Sequence, residues 1–168
     1  MNNKSLTIGT VCFLIDEKTG KILLLERSRS PMRNKVTGVG GKTNFEEAIL
    51  SSCIREIKEE TGFEAKNLRL NGIIKTIEES LDSSWILFIY TCCEFYGQQS
   101  ECPEGKLFWI DRNDVQNQNL IGFIKELIPH ILNGDSFEGT IIHDMEGNVI
   151  SKQLRVASTS NILKNHKY

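Results

Sequence analysis

Gly41-Lys-Thr-Asn-Phe-Glu-Glu-Ala-Ile-Leu-Ser-Ser-Cys-Ile-Arg-Glu-Ile-Lys-Glu-Glu-Thr-Gly-Phe63 is the stretch on which the reading of this chain turns. It predicts a helix over Phe45–Thr61. Asn44 is placed to cap it, and Glu46 and Glu47 fall in the first turn, where the helix dipole favours anions. Ile49, Leu50, Cys53, Ile54 and Ile57 form an apolar stripe. Gly62 follows as the stop. Glu56, Glu59 and Glu60, at i, i+3 and i+4, share a second face beside that stripe. Carboxylates so placed repel one another unless a cation sits between them. Arg55 and Lys58 flank the cluster but are expected to point partly elsewhere, leaving Glu56 and Glu59 exposed. Crowded hard oxygen donors suit Mg²⁺ or Mn²⁺ rather than zinc or copper. Just upstream, Gly38, Gly40 and Gly41 let backbone groups approach a ligand closely.

Outward from this segment, Leu6–Asp16 and Lys21–Glu26 read as a hairpin around Glu17–Gly20. Ser28–Lys35 is a polar, basic loop containing Pro31, and Thr37–Lys42 is Gly-rich. Strands are expected at Leu68–Glu78, Trp85–Phe95 and Lys106–Ile110. A second helix is expected at Leu120–Leu132, with Pro129 a warning about its end, and a terminal hairpin pairs Phe137–Asp144 with Asn148–Val156. The order fits one α+β layered domain over 1–156, followed by a polar tail at 157–168.

The chain has 168 residues, 39% hydrophobic and 25% charged, with a net charge of −2. That balance gives no basic surplus for a nucleic-acid polymer or an anionic membrane. No apolar run approaches the roughly 20 residues that span a bilayer, and Met1–Leu6 lacks a signal-peptide core. Five cysteines without a C-x-x-C pair argue for reduced thiols in a cytoplasm.

Three glutamates on a helix, taken alone, describe a solvated acidic face. The longer spacing decides otherwise. Gly41, Glu47, then Arg55-Glu56-Ile57-Lys58-Glu59-Glu60-Thr61-Gly62-Phe63 fill every specified position of G-x5-E-x7-R-E-U-x-E-E-x-G-U, where U is bulky and apolar. This is similar to the Nudix box. Lys21–Lys42, Cys102–Ile110 and Phe137–Val156 further resemble the MutT-type oxidised-purine triphosphatases, so the likeness covers roughly 6–156. The resemblance implies a Nudix fold, a mixed β-sheet between helices with a loop–helix–loop catalytic motif. It implies metal-dependent hydrolysis of (d)NTPs to the monophosphate and pyrophosphate, with 8-oxo-dGTP a candidate substrate. By matching positions, Glu56, Glu59, Glu60, the Gly41 carbonyl and Glu104 would bind the metal. Glu56 would double as the base, Arg55 would orient it or pair with Glu47, and Glu47 would support the site. Arg27, Thr37, Gly38 and Gly40 match positions near the substrate, and Phe123 is placed to stack on a base. The implied partner is a small nucleotide, and the implied assembly a monomer or homodimer.

The base-reading residues depart from those of the oxidised-purine enzymes. Val36-Thr37 stands where relatives carry Trp-Asn, and Ile121–Ile124 stands where they carry paired acids, with Asn117, Gln118 and Asn119 just before. Weak discrimination between 8-oxo-dGTP and dGTP is therefore expected. The alternative is a Nudix hydrolase of another nucleoside-diphosphate derivative: ADP-ribose, a nucleotide sugar, a dinucleoside polyphosphate or an RNA cap. A binding module that has lost catalysis is a third class, disfavoured by the intact carboxylates. Trp85 and Trp109 are expected as core or sheet-face residues, and the scattered histidines suggest no metal pair.

Overall fold

The computed structural model describes residues 4–80 and 82–157. The strands are β1 (Ser5–Asp16), β2 (Lys21–Arg27), β3 (Val36–Thr37), β4 (Glu64–Lys66), β5 (Arg69–Glu78), β6 (Ser83–Cys92), β7 (Glu94–Tyr96), β8 (Gly105–Asp111), β9 (Ser136–His143) and β10 (Val149–Ala157). The helices are α1 (Ile49–Thr61) and α2 (Gly122–Asn133), with a 3-10 turn at Arg112–Asn117. The main sheet runs β10-β9-β5-β6-β1-β2-β3, with β8 also on β2, while β4 and β7 form a separate pair. It is mixed: β1–β6 and β5–β9 are parallel, and the other ladders are antiparallel.

β1 shows why the sheet lies between helices. Alternate residues along a strand face opposite sides, and here both sides are buried. Cys12 and Leu14 join Cys53 and Ile57 of α1 in one core. Phe13 and Ile15 join Ile124, Leu127, Ile128 and Ile131 of α2 in the other. Burying each such aliphatic side chain contributes about 1.5–3 kcal/mol.

Several expectations are corrected. α1 starts at Ile49, not Phe45, with Ala48 as N-cap and no side-chain cap bond. The expected cap is lost because Glu47 is drawn to Arg55, while Glu47 N donates to Asn44 O across a turn. The apolar stripe is narrower than read: Leu50 and Ile54 are exposed, while Ser52, Glu60 and Thr61 are buried. The stop holds, with Gly62 left-handed at φ 79°. The predicted strand Trp85–Phe95 divides into β6 and β7, and β4 and the 3-10 turn were not foreseen. α2 runs straight through Pro129. That proline has no N–H for the Lys125 carbonyl, and Gln116 Nε2 donates to it instead at 3.3 Å. Ala157 closes β10, and the rest of the expected tail lies outside the described residues. All five cysteines are free thiols. Among the described residues no helix is long and apolar enough to cross a membrane.

Candidate active site

The Gly-rich segment lies antiparallel beside β1. Cys12 and Val39 exchange backbone bonds at 2.6 and 3.0 Å, and Thr10 N donates to Gly41 O at 2.9 Å. This proximity requires glycine. A Cβ on Gly40 would lie 2.1 Å from the Thr10 carbonyl, and its φ is +148°. A Cβ on Gly41 would lie 2.7 Å from the Glu56 carboxyl carbon. The carboxylate face of the helix therefore closes directly onto bare backbone.

Arg55 is the centre of the charged cluster, contrary to the expectation that it points partly away. Its Nε and Nη2 grip Glu47 in a two-pronged bond at 2.8 and 2.9 Å. Nη1 donates to Glu56 Oε1 at 2.8 Å and to Glu59 Oε2 at 3.1 Å. Nη2 also reaches the Lys42 carbonyl at 3.2 Å. Only a planar guanidinium supplies that fork; a lysine cannot. The Arg55 bond holds the Glu47 carboxyl down at about 2, and Glu47 in turn raises the Arg55 guanidinium further above its usual range.

Glu56, expected exposed, has a side chain only 15% accessible, because it packs onto Gly41 beside Arg55, and Glu60 is buried more deeply still. Glu60 is 3% exposed and accepts from Gly40 N at 2.7 Å. Burial pushes its carboxyl up to about 8; the Gly40 bond opposes this, and the Glu56 and Glu104 charges add to it. Burial also raises the Glu56 carboxyl, against the pull of Arg55 and with help from Glu59 and Glu104. Glu59 is the exposed member, its side chain 56% accessible. Glu104 pairs with Arg29 at 3.8 Å. With Arg55 across Glu56 and Glu59 and Glu60 turned to Gly40, no group of three His, Cys, Asp or Glu that could hold a metal ion is gathered among the described residues.

A cavity of about 480 Å³ opens from this cluster, within the range of small-molecule sites. Of the anticipated residues, Arg27, Thr37, Gly38, Gly40, Gly41, Glu56, Glu104 and Phe123 line it; Glu47, Arg55, Glu59 and Glu60 do not. Arg27 Nε is buried without a hydrogen-bond partner among the described residues. Phe123 also packs into the core. Asn117, Gln118 and Asn119, considered as base readers, lie off the cavity. Asn119 bonds Lys35 and the Asn34 carbonyl, and Gln118 bonds the Asp114 carbonyl.

Sequence reasoning missed the far end. Glu78, Ser83 and His143 line it, while Thr76 and Trp85 line the stretch leading to it, the Trp85 ring lying beside Gly9 near the Gly41 carbonyl. Lys42 Nζ lies 5.5 Å from the Trp85 ring centroid, a cation–π distance. No local motif marks these positions, since strand register brings them together. Trp109 behaves as expected of a core residue, stacked at 5.8 Å on Phe95.

The NUDIX domain model matches residues 6–131. The uncharacterized Nudix hydrolase YvcI of Bacillus subtilis (strain 168) is 33% identical over 139 residues, covering 80% of this chain and 86% of that protein. A crystallised MutT protein of Bacillus halodurans superposes with a TM-score of 0.79 at 29% identity, over 88% of this chain and 97% of that one. A MutT Nudix hydrolase of Burkholderia pseudomallei has the same fold, with a TM-score of 0.69 at 22% identity, over 76% and 98%. A box filled at every position, on a mixed sheet between two helices, thus coincides with a domain-wide match: the chain belongs to the Nudix hydrolase family, whose members act on phosphoric anhydrides.

Proposed function

We propose that the chain is a divalent-metal-dependent nucleoside triphosphate pyrophosphatase. In this reading it cleaves (d)NTPs, with oxidised ones such as 8-oxo-dGTP among its candidates, to the monophosphate and pyrophosphate. One observation carries the reading: the Glu56 carboxylate is seated against bare backbone at Gly41, at the head of a nucleotide-sized cavity that Trp85 and Phe123 also line.

The donors suit a hard divalent ion. Glu56 and Glu60 hold their protons more tightly than ordinary carboxyls, chiefly because they are buried, with the Glu59 and Glu104 charges adding at Glu56 and the Glu56 and Glu104 charges adding at Glu60. A cation among them relieves both burdens. Glu56, Glu59 and Glu60, with the Gly41 carbonyl and Glu104 alongside, would hold Mg²⁺ or Mn²⁺. Bound there, the ion would neutralise phosphate charge and acidify a water.

The chain's own groups do the rest. Glu56 accepts the proton of the attacking water. Arg55 fixes the Glu56 carboxylate through Oε1, and Glu47 anchors Arg55 from the other side. Arg27, with its buried and unpartnered Nε, binds the polyphosphate. Thr37, Gly38 and Gly40 admit the phosphates close to the backbone, and Phe123 packs against the base. The free thiols suit a reducing cytoplasm.

A hydrolysis panel tests the assignment. With Mg²⁺, (d)NTPs should be turned over at least tenfold more efficiently than ADP-ribose, nucleotide sugars or dinucleoside polyphosphates. The reverse order would move the chain to the alternative substrate class.

A further inference from the structure

The far end of the cavity carries chemistry that the box does not explain. Ser83, Glu78 and His143 stand in register across three adjacent strands. Glu78 pairs with Ser83 in the β5–β6 ladder and with His143 in the β5–β9 ladder. Residues opposed in this way put their side chains on one face, and all three line the cavity.

His143 is buried, and its Nδ1 lies 2.7 Å from the Asp144 carbonyl. A carbonyl only accepts, so Nδ1 carries a proton, and in the neutral ring this leaves Nε2 as the acceptor. Three bonds to the Asp144 carboxylate, from Glu146 N, Asn148 N and Asn148 Nδ2, fix that turn. Glu79 N donates to the His143 carbonyl at 3.1 Å. Phe123, in the first turn of α2, holds the imidazole with ring centroids 5.1 Å apart. Ser80 Oγ donates to Glu78 Oε1 at 3.1 Å. A carboxylate offers about four lone-pair sites, so acceptor capacity remains.

An oriented imidazole lone pair beside a carboxylate makes an acceptor-rich wall. The heterocycle that fits it presents two adjacent N–H donors on one edge. Guanine does so, through N1–H and its 2-amino group. Adenine and cytosine set one amino group beside a bare ring nitrogen, whose lone pair would face another lone pair. Uracil and thymine flank a single N–H with two carbonyls. We propose that Glu78 and His143 read the base, selecting guanine nucleotides through the N1–H and 2-amino edge. The proposal rests on the pyrophosphatase reading only for the position of the base. 8-Oxoguanine keeps the same edge, so this pair does not separate it from guanine.

Titration calorimetry with dGMP, dIMP and dAMP tests this without metal or turnover. Since dIMP lacks only the 2-amino group, it isolates that contact. The wild-type chain should bind dGMP roughly 10-fold or more tighter than either competitor, because their missing donors leave these acceptors unpaired inside the cavity. Glu78→Gln, whose amide turns a donor toward the base, should erase the dGMP preference at unchanged Tm. His143→Phe keeps the ring packing on Phe123 and removes Nε2, and should weaken dGMP binding selectively; if that variant does not fold, Glu78→Gln decides alone. Equal binding of the three nucleotides, or a guanine preference surviving Glu78→Gln, would overturn the proposal. Guanine-selective binding without triphosphate hydrolysis would support it while refuting the pyrophosphatase reading. Triphosphate hydrolysis with base-blind binding would do the opposite.

Discussion

At the head of the cavity, Glu47, Arg55, Glu56, Glu59 and Glu60 come from one short run of chain, and Arg55 ties three of the four carboxylates together directly. At the far end, Glu78, Ser83 and His143 come from three strands and meet only through register. The first end is dense in charge, with its repulsion partly relieved by one guanidinium. The second is sparse in charge, and its hydrogen-bonding character comes from one carboxylate and one imidazole held through Nδ1. Local spacing along a helix can build a metal-binding face. Reading a base edge takes groups delivered from separate elements.

The largest expected effect falls at the head. Glu56→Gln should lower kcat on dGTP by about 10²–10⁴-fold, the usual worth of a positioned base, with little change in KM. Steady-state kinetics with saturating Mg²⁺ reads it, and a kcat within twofold of wild type would remove Glu56 from its role. Gly41→Ala comes next. The added methyl would displace a flexible carboxylate, not backbone. kcat should therefore fall roughly 10–100-fold while Tm stays within a degree or two. A large loss of Tm instead would make Gly41 a folding residue.

Glu60 makes the head sensitive to pH. Its folded carboxyl titrates near 8, against an ordinary 4.5. Between those values the folded chain holds a proton that the unfolded chain has released. Stability of the metal-free protein should therefore fall as pH rises through that window. Glu60→Gln should flatten the slope and raise stability at pH 8 by on the order of 1–3 kcal/mol. Thermal denaturation in EDTA at pH 5 and pH 8 measures it, and a slope unchanged in the variant would contradict the burial argument.

The smallest effect concerns the oxidised edge of the base. With Thr37 and Ile121 lining the site where relatives carry base-reading groups, kcat/KM for 8-oxo-dGTP over dGTP should stay well below about 10³. A larger ratio would mean that another group reads the oxidised edge.

The difference between the ends also explains what the sequence could tell. The box residues recur at fixed spacing within one loop and helix, so their grouping was legible one position at a time. The element order gave a layered α+β domain, and the mixed sheet between helices was what the resemblance to the Nudix box implied; β1, buried on both faces, agrees with it. The burial of Glu60 was not legible, because it depends on how closely the glycine segment approaches the helix. The hub role of Arg55 was obscured for a related reason: Glu47, expected in a first helical turn, lies in a preceding turn that brings it to Arg55. His143 carried no local signal. Its partner Glu78 lies far away in sequence, and only the parallel β5–β9 register joins them.

The central claim is that this carboxylate face works through a divalent cation to release pyrophosphate. Phosphorus NMR of dGTP incubated with the protein, in Mg²⁺ and again in excess EDTA, tests it most directly. The expected result is dGMP and pyrophosphate in equal amounts with Mg²⁺ and no turnover in EDTA. Formation of dGDP and orthophosphate, or full turnover in EDTA, would contradict it.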